Sequence, residues 1–205
     1  GTGENIWNLA YPDRGSFFRP ISADDGQSGP RPHVALIDEI HEHKTNTTVE
    51  MLRAGTKSHR QAIIFMITNS GSSKTSPCWM YHDYGAKVSS GVLEDDSFFA
   101  FICGLDAKDD PFKDEKCWAK ANPSLQHADL PGIKYLREQV REARGMPGKE
   151  STVRRLNFCQ WTEAENPWIS SEIWLGAGRD YEWRQFAGRR AWAGLDLSST
   201  TDLTG

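Results

Sequence analysis

Residues 34 to 43, VALIDEIHEH, place an apolar, β-branched run directly before two adjacent carboxylates, Asp38 and Glu39. An acidic pair at the tip of an apolar strand suits hydrolysis of a nucleoside triphosphate. The first carboxylate holds a magnesium ion, usually through water, and the second orients and deprotonates the water that attacks the γ-phosphate. Any surface loop after a strand can also carry Asp-Glu, so the pair needs a second site beside it. ITNSGSS, residues 67 to 73, supplies one. If its strand runs parallel to the first, Thr68 and Asn69 fall within reach of the same phosphate, where they can bond it or the attacking water. The plainer role for Asn69 and Ser70 is to start a turn.

Other chemistries fit less well. His41, Glu42 and His43 suggest a metal, but the HExxH pattern fails because Thr45 stands where the second histidine belongs. A solvent-facing polar turn is the simpler reading. The phosphate cradle GxxxxGK[ST] is absent: GMPGKES, residues 145 to 151, has the wrong glycine spacing, and Glu150 follows its lysine. These residues therefore cannot grip a triphosphate unaided.

The elements that must position the acidic pair follow from the hydrophobic pattern. Residues 34–40 and 61–68 read as neighbouring strands of a parallel sheet covered on both faces. Between them NTTVEMLRAG fits a crossover helix with Asn46 or Thr47 as N-cap, Val49 and Leu52 inward, and Gly55 as terminator. A second helix starts at Ser76-Pro77, stops at Gly91 and faces inward with Met80, Tyr84 and Val88. SFFAFICGLDA predicts a third buried strand, and DEKCWAKANP a short helix ended by Pro123. Strand and helix thus alternate from 34 to 122, the rhythm of an α/β fold. An amphipathic helix over 131–144 comes next, with Ile133, Leu136 and Val140 on one side. Another helix begins at Ser151, and a strand at 191–197 leads through a polar turn into a second strand at the end of the chain.

The 205 residues can bury one real core, in one or two domains. No apolar run approaches the ~20 residues of a membrane helix, and the amino terminus lacks signal-peptide features, so a cytosolic protein is expected. The four cysteines are spread without a CxxC pair and read as reduced. A net charge of -4 argues against bulk attraction to nucleic acid, although Arg137, Arg141 and Arg144 on one helix face, with Arg154, Arg155, Arg189 and Arg190, could contact DNA phosphates. A sheet lacking its first strands would expose apolar edges and favour aggregation.

LIDEIH resembles the Asp-Glu-x-His box of superfamily two helicases, but QFAGRRAW puts Trp192 where QxxGRxxR needs its last arginine. A non-catalytic α/β interaction module is a further alternative. More of the chain, from about Ser16 to Gly205, resembles the large terminase subunits of tailed bacteriophages. VALIDEIHEH, the ITN strand end, YHDYGAKV, EDDSFFAFICGLD, KANPSL, VRRLNFCQWTE and GRRAWAGLDLSSTTDLTG occur in that family's order. The resemblance implies the later part of a P-loop ATPase motor with an incomplete parallel sheet and flanking helices (1–122), a helical lid or linker (123–188), and the first strands of an RNase H-like nuclease (189–205).

It implies Asp38 as the Walker B aspartate, Glu39 as the catalytic glutamate, Thr68 and Asn69 as the coupling motif, and Asp196 as the first nuclease metal ligand. Asp202 could assist Asp196 or cap its turn. Cutting a phosphodiester by a two-metal mechanism needs several such carboxylates around Mg2+ or Mn2+. Implied besides are ATP and Mg2+ for the motor, an arginine donated to a neighbouring subunit, for which Arg19 and Arg31 are weak candidates, and a ring of identical subunits. Double-stranded DNA, a small terminase subunit and a portal protein would be its partners in the host cytoplasm, with no membrane.

Overall fold

The structure, a computed structural model, describes residues 8–22, 29, 31–162 and, further on, 173, 176–178, 180, 182–190 and 192. The chain divides into two compact units, Gly1–Trp168 and Ile169–Gly205.

The first unit opens with an antiparallel hairpin, β1 (Leu9–Tyr11) and β2 (Ser16–Phe18), that hydrophobic patterning does not announce. Its reversal ends at Gly15, whose φ of 61° is open to glycine without a Cβ clash. Next come β3 (Val34–Asp38), α1 (Thr47–Thr56) and β4 (Ile63–Ile67). The two strands pair in parallel, with Val34 opposite Ile63 and Asp38 opposite Ile67, so their C-terminal tips lie side by side as expected. α1 packs Val49 and Leu52 against Ala35 and Ile37. It runs on through Gly55 to Thr56.

Among the described residues, only one face of this sheet is covered. Successive side chains of a strand point to opposite faces; Ala35 and Ile37 are buried, whereas Val34, Leu36, Ile63, Phe65 and Ile67 are each more than half exposed. The expectation of two covered faces fails because α1 and its neighbours pack on one side alone.

α2 (Pro77–Ser89) starts as predicted, with the Ser76 hydroxyl accepting the Trp79 N–H at 3.2 Å. Its inward face matches the predicted one only in part: Tyr84 meets Phe98 edge-on at 4.9 Å and Val88 is half-buried. Met80 is 47% exposed, while Cys78 and Gly85 are buried. The absence of a side chain at Gly85 lets residues 98–102 lie directly on the helix, with Phe98, Ala100 and Ile102 against it. That packing replaces the third strand predicted here. A strand needs a ladder partner, and among the described residues these have only the helix; Phe99 and Phe101 are 87% and 77% exposed.

A helical cluster completes the unit: α3 (Trp118–Ala121), α4 (Leu125–Ala128), α5 (Ile133–Gly145) and α6 (Glu150–Phe158). Leu136 and Val140 are buried as their spacing predicts, around Trp118 and Phe158. The Trp118 indole N–H donates to the Pro111 carbonyl at 2.8 Å, which satisfies the one polar atom of a fully buried ring. Cys117, Trp118 and Ala121 share this core, and Leu105 and Phe112 pack on it. The core of the helical cluster therefore draws in residues from Leu105 onward.

In the second unit the described residues include one 3-10 turn, Trp183–Phe186. The strand predicted at 191–197, with Asp196, and the turn holding Asp202 lie outside the described residues.

Candidate active site

The register sets the site. Asp38 is the last residue of β3 and sits opposite Ile67, so Thr68 emerges beside the acidic pair. One Asp38 carboxylate oxygen accepts the Glu39 N–H at 2.9 Å, and the residue lies exposed at the surface. An exposed, acceptor-only carboxylate of this kind fits a hard cation such as magnesium, which takes oxygen ligands and keeps several waters.

Glu39 takes a left-handed backbone conformation, φ 50° and ψ 47°. For a residue with a Cβ this costs on the order of 1 kcal/mol and persists only where the surroundings impose it. Here the next turn does so. The Glu39 carbonyl accepts the Glu42 N–H at 2.8 Å, and Ile40 is driven into the sheet core at 2% exposure. The reversal leaves the Glu39 side chain half exposed and folds His41 back over the tip of β4.

A solvent-facing turn is the sequence expectation for His41, yet its side chain is 4% exposed. Its backbone N–H donates to Thr68 Oγ1 at 3.0 Å. Its Nδ1 lies 3.0 Å from both Thr68 Oγ1 and Glu39 Oε2, and its Nε2 lies 3.1 Å from Glu42 Oε1. The Thr68 hydroxyl gives its own hydrogen to the Asn69 carbonyl at 2.9 Å. Among the described residues no group of three or more His, Cys, Asp or Glu side chains is arranged to hold a metal ion.

Beyond Thr68 the β4 tip is fastened to the helical cluster. The buried Ser70 hydroxyl shares its hydrogen between the carbonyls of Arg155 and Gln160, at 3.2 and 3.1 Å. The Cys159 thiol donates to Asn69 Oδ1 at 3.8 Å. A Cβ at Gly71 would stand 3.0 Å from the Trp161 ring, which meets Trp79 edge-on at 4.7 Å. Burial pushes the Cys78 thiol up; its Sγ lies 3.7 Å from Thr68 Oγ1 and from the Asn69 carbonyl. Asn69 and Ser70 thus do more than start a turn.

The arginines divide into two groups. Arg154 is bound to Glu150, Asp110 and Gln160 and stacks 4.5 Å over Phe112, while Arg155 is 9% exposed. Arg154 is thus engaged by acceptors within the protein, and Arg155 is largely buried. Arg141 is exposed, and Arg137 pairs with Glu115 at 2.7 Å across a surface where salt bridges are weak. Arg144 donates to the Phe112 carbonyl. These three side chains and Phe112 line one groove. Arg19, Arg31, Arg189 and Arg190 are exposed.

Sequence reasoning missed His41 and Ser70. A histidine two residues past Glu39 can face anywhere, and nothing in a glutamate announces the left-handed turn that directs it onto Thr68. Ser70 reads as turn chemistry until its two acceptors, 85 and 90 residues away, are known.

Comparison with known proteins agrees with this architecture. The chain is 24% identical over 180 residues to protein YmfN of Escherichia coli (strain K12), covering 85% of this chain and 38% of that protein. It is 24% identical over 192 residues to the terminase large subunit of Enterobacteria phage HK97, covering 91% of this chain and 36% of that one. The crystal structure of the HK97 bacteriophage large terminase superposes with a TM-score of 0.60 at 23% identity, over 93% of this chain and 38% of that one, which shows a shared fold. The chain thus spans less than two fifths of the length of these relatives. A model of the family described as terminase large subunit, endonuclease domain, matches residues 92–205, starting just after α2 and taking in the whole helical cluster. That match covers more than half of the 205 residues, and the chain belongs to the terminase large subunit family.

Proposed function

We propose that the full-length protein is a viral DNA-packaging enzyme, an ATP-driven motor for double-stranded DNA joined to a metal-dependent endonuclease that cuts concatemeric DNA. The observation that carries the motor reading is the parallel register that sets Asp38–Glu39 and Thr68–Asn69 on adjacent tips of one sheet. Ligands of α/β sheets bind at the carboxyl ends of the strands. Asp38 would hold Mg2+, which would neutralise charge on the phosphates of ATP. Glu39 takes the proton of the attacking water. Thr68 and Asn69 couple the nucleotide to the helical lid, a reading supported by the bonds from Asn69 and Ser70 to residues 155–160. Arg137, Arg141 and Arg144 offer a groove for the DNA backbone. In the nuclease, Asp196 and Asp202 contribute to a site for two divalent ions, Mg2+ or Mn2+. A homo-oligomeric ring, a small terminase subunit and a portal protein complete the machine in the host cytoplasm.

A paired substitution in the full-length protein tests this. Glu39→Gln should retain ATP binding and lower turnover by about 10²–10⁴-fold, since an amide cannot accept the proton. Asp196→Asn should abolish DNA cleavage and leave ATPase activity intact. Wild-type ATPase rates in the first variant would remove the motor assignment, and undiminished cutting in the second would remove the nuclease ligand.

A further inference from the structure

We propose that His41 is a positioning residue for the Glu39 carboxylate, tying it through the Nδ1 hydrogen to Thr68; this rests on the reading of Glu39 as the base. Three observations carry it. The imidazole is 4% exposed and both ring nitrogens have partners, unlike a side chain merely solvated on a turn. A carboxylate only accepts, so the 3.0 Å contact from Nδ1 to Glu39 Oε2 is a hydrogen bond only with a hydrogen on Nδ1, just as the 3.1 Å contact from Nε2 to Glu42 Oε1 needs one on Nε2. The Thr68 hydroxyl spends its hydrogen on the Asn69 carbonyl, so towards His41 it too can only accept, from both the backbone N–H and Nδ1.

The hydrogen on Nδ1 therefore faces two acceptors from two strand tips. Any displacement of Thr68 changes how firmly Nδ1 holds Glu39. The left-handed backbone at Glu39 makes this possible, because an ordinary strand end would carry His41 away from β4. Without the imidazole, the half-exposed Glu39 side chain is free to change rotamer, and its carboxylate leaves the direction in which it meets water.

The test compares His41→Ala, His41→Asn and His41→Gln in the full-length protein, with Glu39→Gln alongside. Asparagine places an amide N–H near the position of Nδ1, whereas glutamine reaches the position of Nε2. Steady-state ATPase assays should show kcat for His41→Ala falling about a hundredfold, as for a misplaced catalytic group, with KM for ATP unchanged. His41→Asn should recover most of that loss and His41→Gln should not. A space-filling role predicts that glutamine, the closer match in volume, recovers at least as much, so equal or reversed kcat values overturn the proposal. If His41→Ala fails to fold on thermal melting, the comparison of asparagine with glutamine still decides. Turnover by Glu39→Gln would sink the base reading itself. An inactive Glu39→Gln beside a wild-type-like His41→Gln would sink only the positioning role.

Discussion

At position 85, in the middle of α2, a Cβ would stand 2.8 Å from the Cβ of Ala100, closer than packed carbons approach. Alanine in place of glycine ordinarily stabilises a helix interior by about 1 kcal/mol. Here overpacking costs typically 1–3 kcal/mol, since the obstructing atom is fixed to backbone and cannot swing aside. Gly85→Ala should therefore destabilise the protein by up to about 2 kcal/mol in urea unfolding, and Ala100→Gly should relieve it. A gain in stability would show that residues 98–102 do not press on the helix. Strand register is what makes individual site residues legible in the sequence: Asp38, Glu39 and Thr68 can be placed because a parallel pair must align its tips. His41 cannot, since its placement depends on one backbone angle at its neighbour.

Among the elements, helices are read more faithfully than strands. Caps and spacing are local signals, and Ser76-Pro77, Val49 with Leu52, and Leu136 with Val140 all behave accordingly. A strand is defined by a partner elsewhere in the chain, and SFFAFIC found a helix instead. The loop from 105 to 117, which carries Trp118 into its core, is pinned by Lys120, bonded to Asp106 and Asp109 at 2.6 and 2.7 Å. The hydrogen bond from Lys120 holds the Asp109 carboxyl below its usual range, helped by the Asp106 N–H. The same two carboxylates raise the Lys120 ammonium.

A depressed carboxyl contributes stability above its unfolded value, about 3.9, that is lost as pH falls through the lower folded value. A raised ammonium contributes below about 10.4, and that contribution is lost as pH rises through the higher folded value. This clamp should accordingly hold across roughly pH 4 to 10. Tryptophan fluorescence should report loosening around Trp118 below that window, and Lys120→Met should weaken the acid transition. A clamp-dependent transition centred near neutrality would contradict the pairing.

At the scale of the whole molecule, the exposed face of the β3–β4 sheet should govern association in solution. Val34, Leu36, Ile63, Phe65 and Ile67 form one apolar surface on a two-stranded sheet whose outer edges carry unpaired backbone groups among the described residues. Such a surface promotes association. Leu36→Lys combined with Phe65→Thr should lower light scattering of the isolated chain at equal concentration. Because both positions are exposed, thermal stability should change little. Unaltered scattering would place the sticky surface elsewhere. The sequence makes this property partly visible, in the apolar runs of the two strands, but the two faces can be told apart only with α1 seen on one of them.

The seam at Ser70 has a mechanical corollary. One hydroxyl proton is divided between carbonyls on either side of the α6 terminus, while the Trp161 ring covers the adjacent glycine, 3.0 Å from where a Cβ would stand. A tensile load drawing the helices off the strand tip meets these attachments together, so the joint should part as a brittle catch, all at once, instead of stretching like a spring.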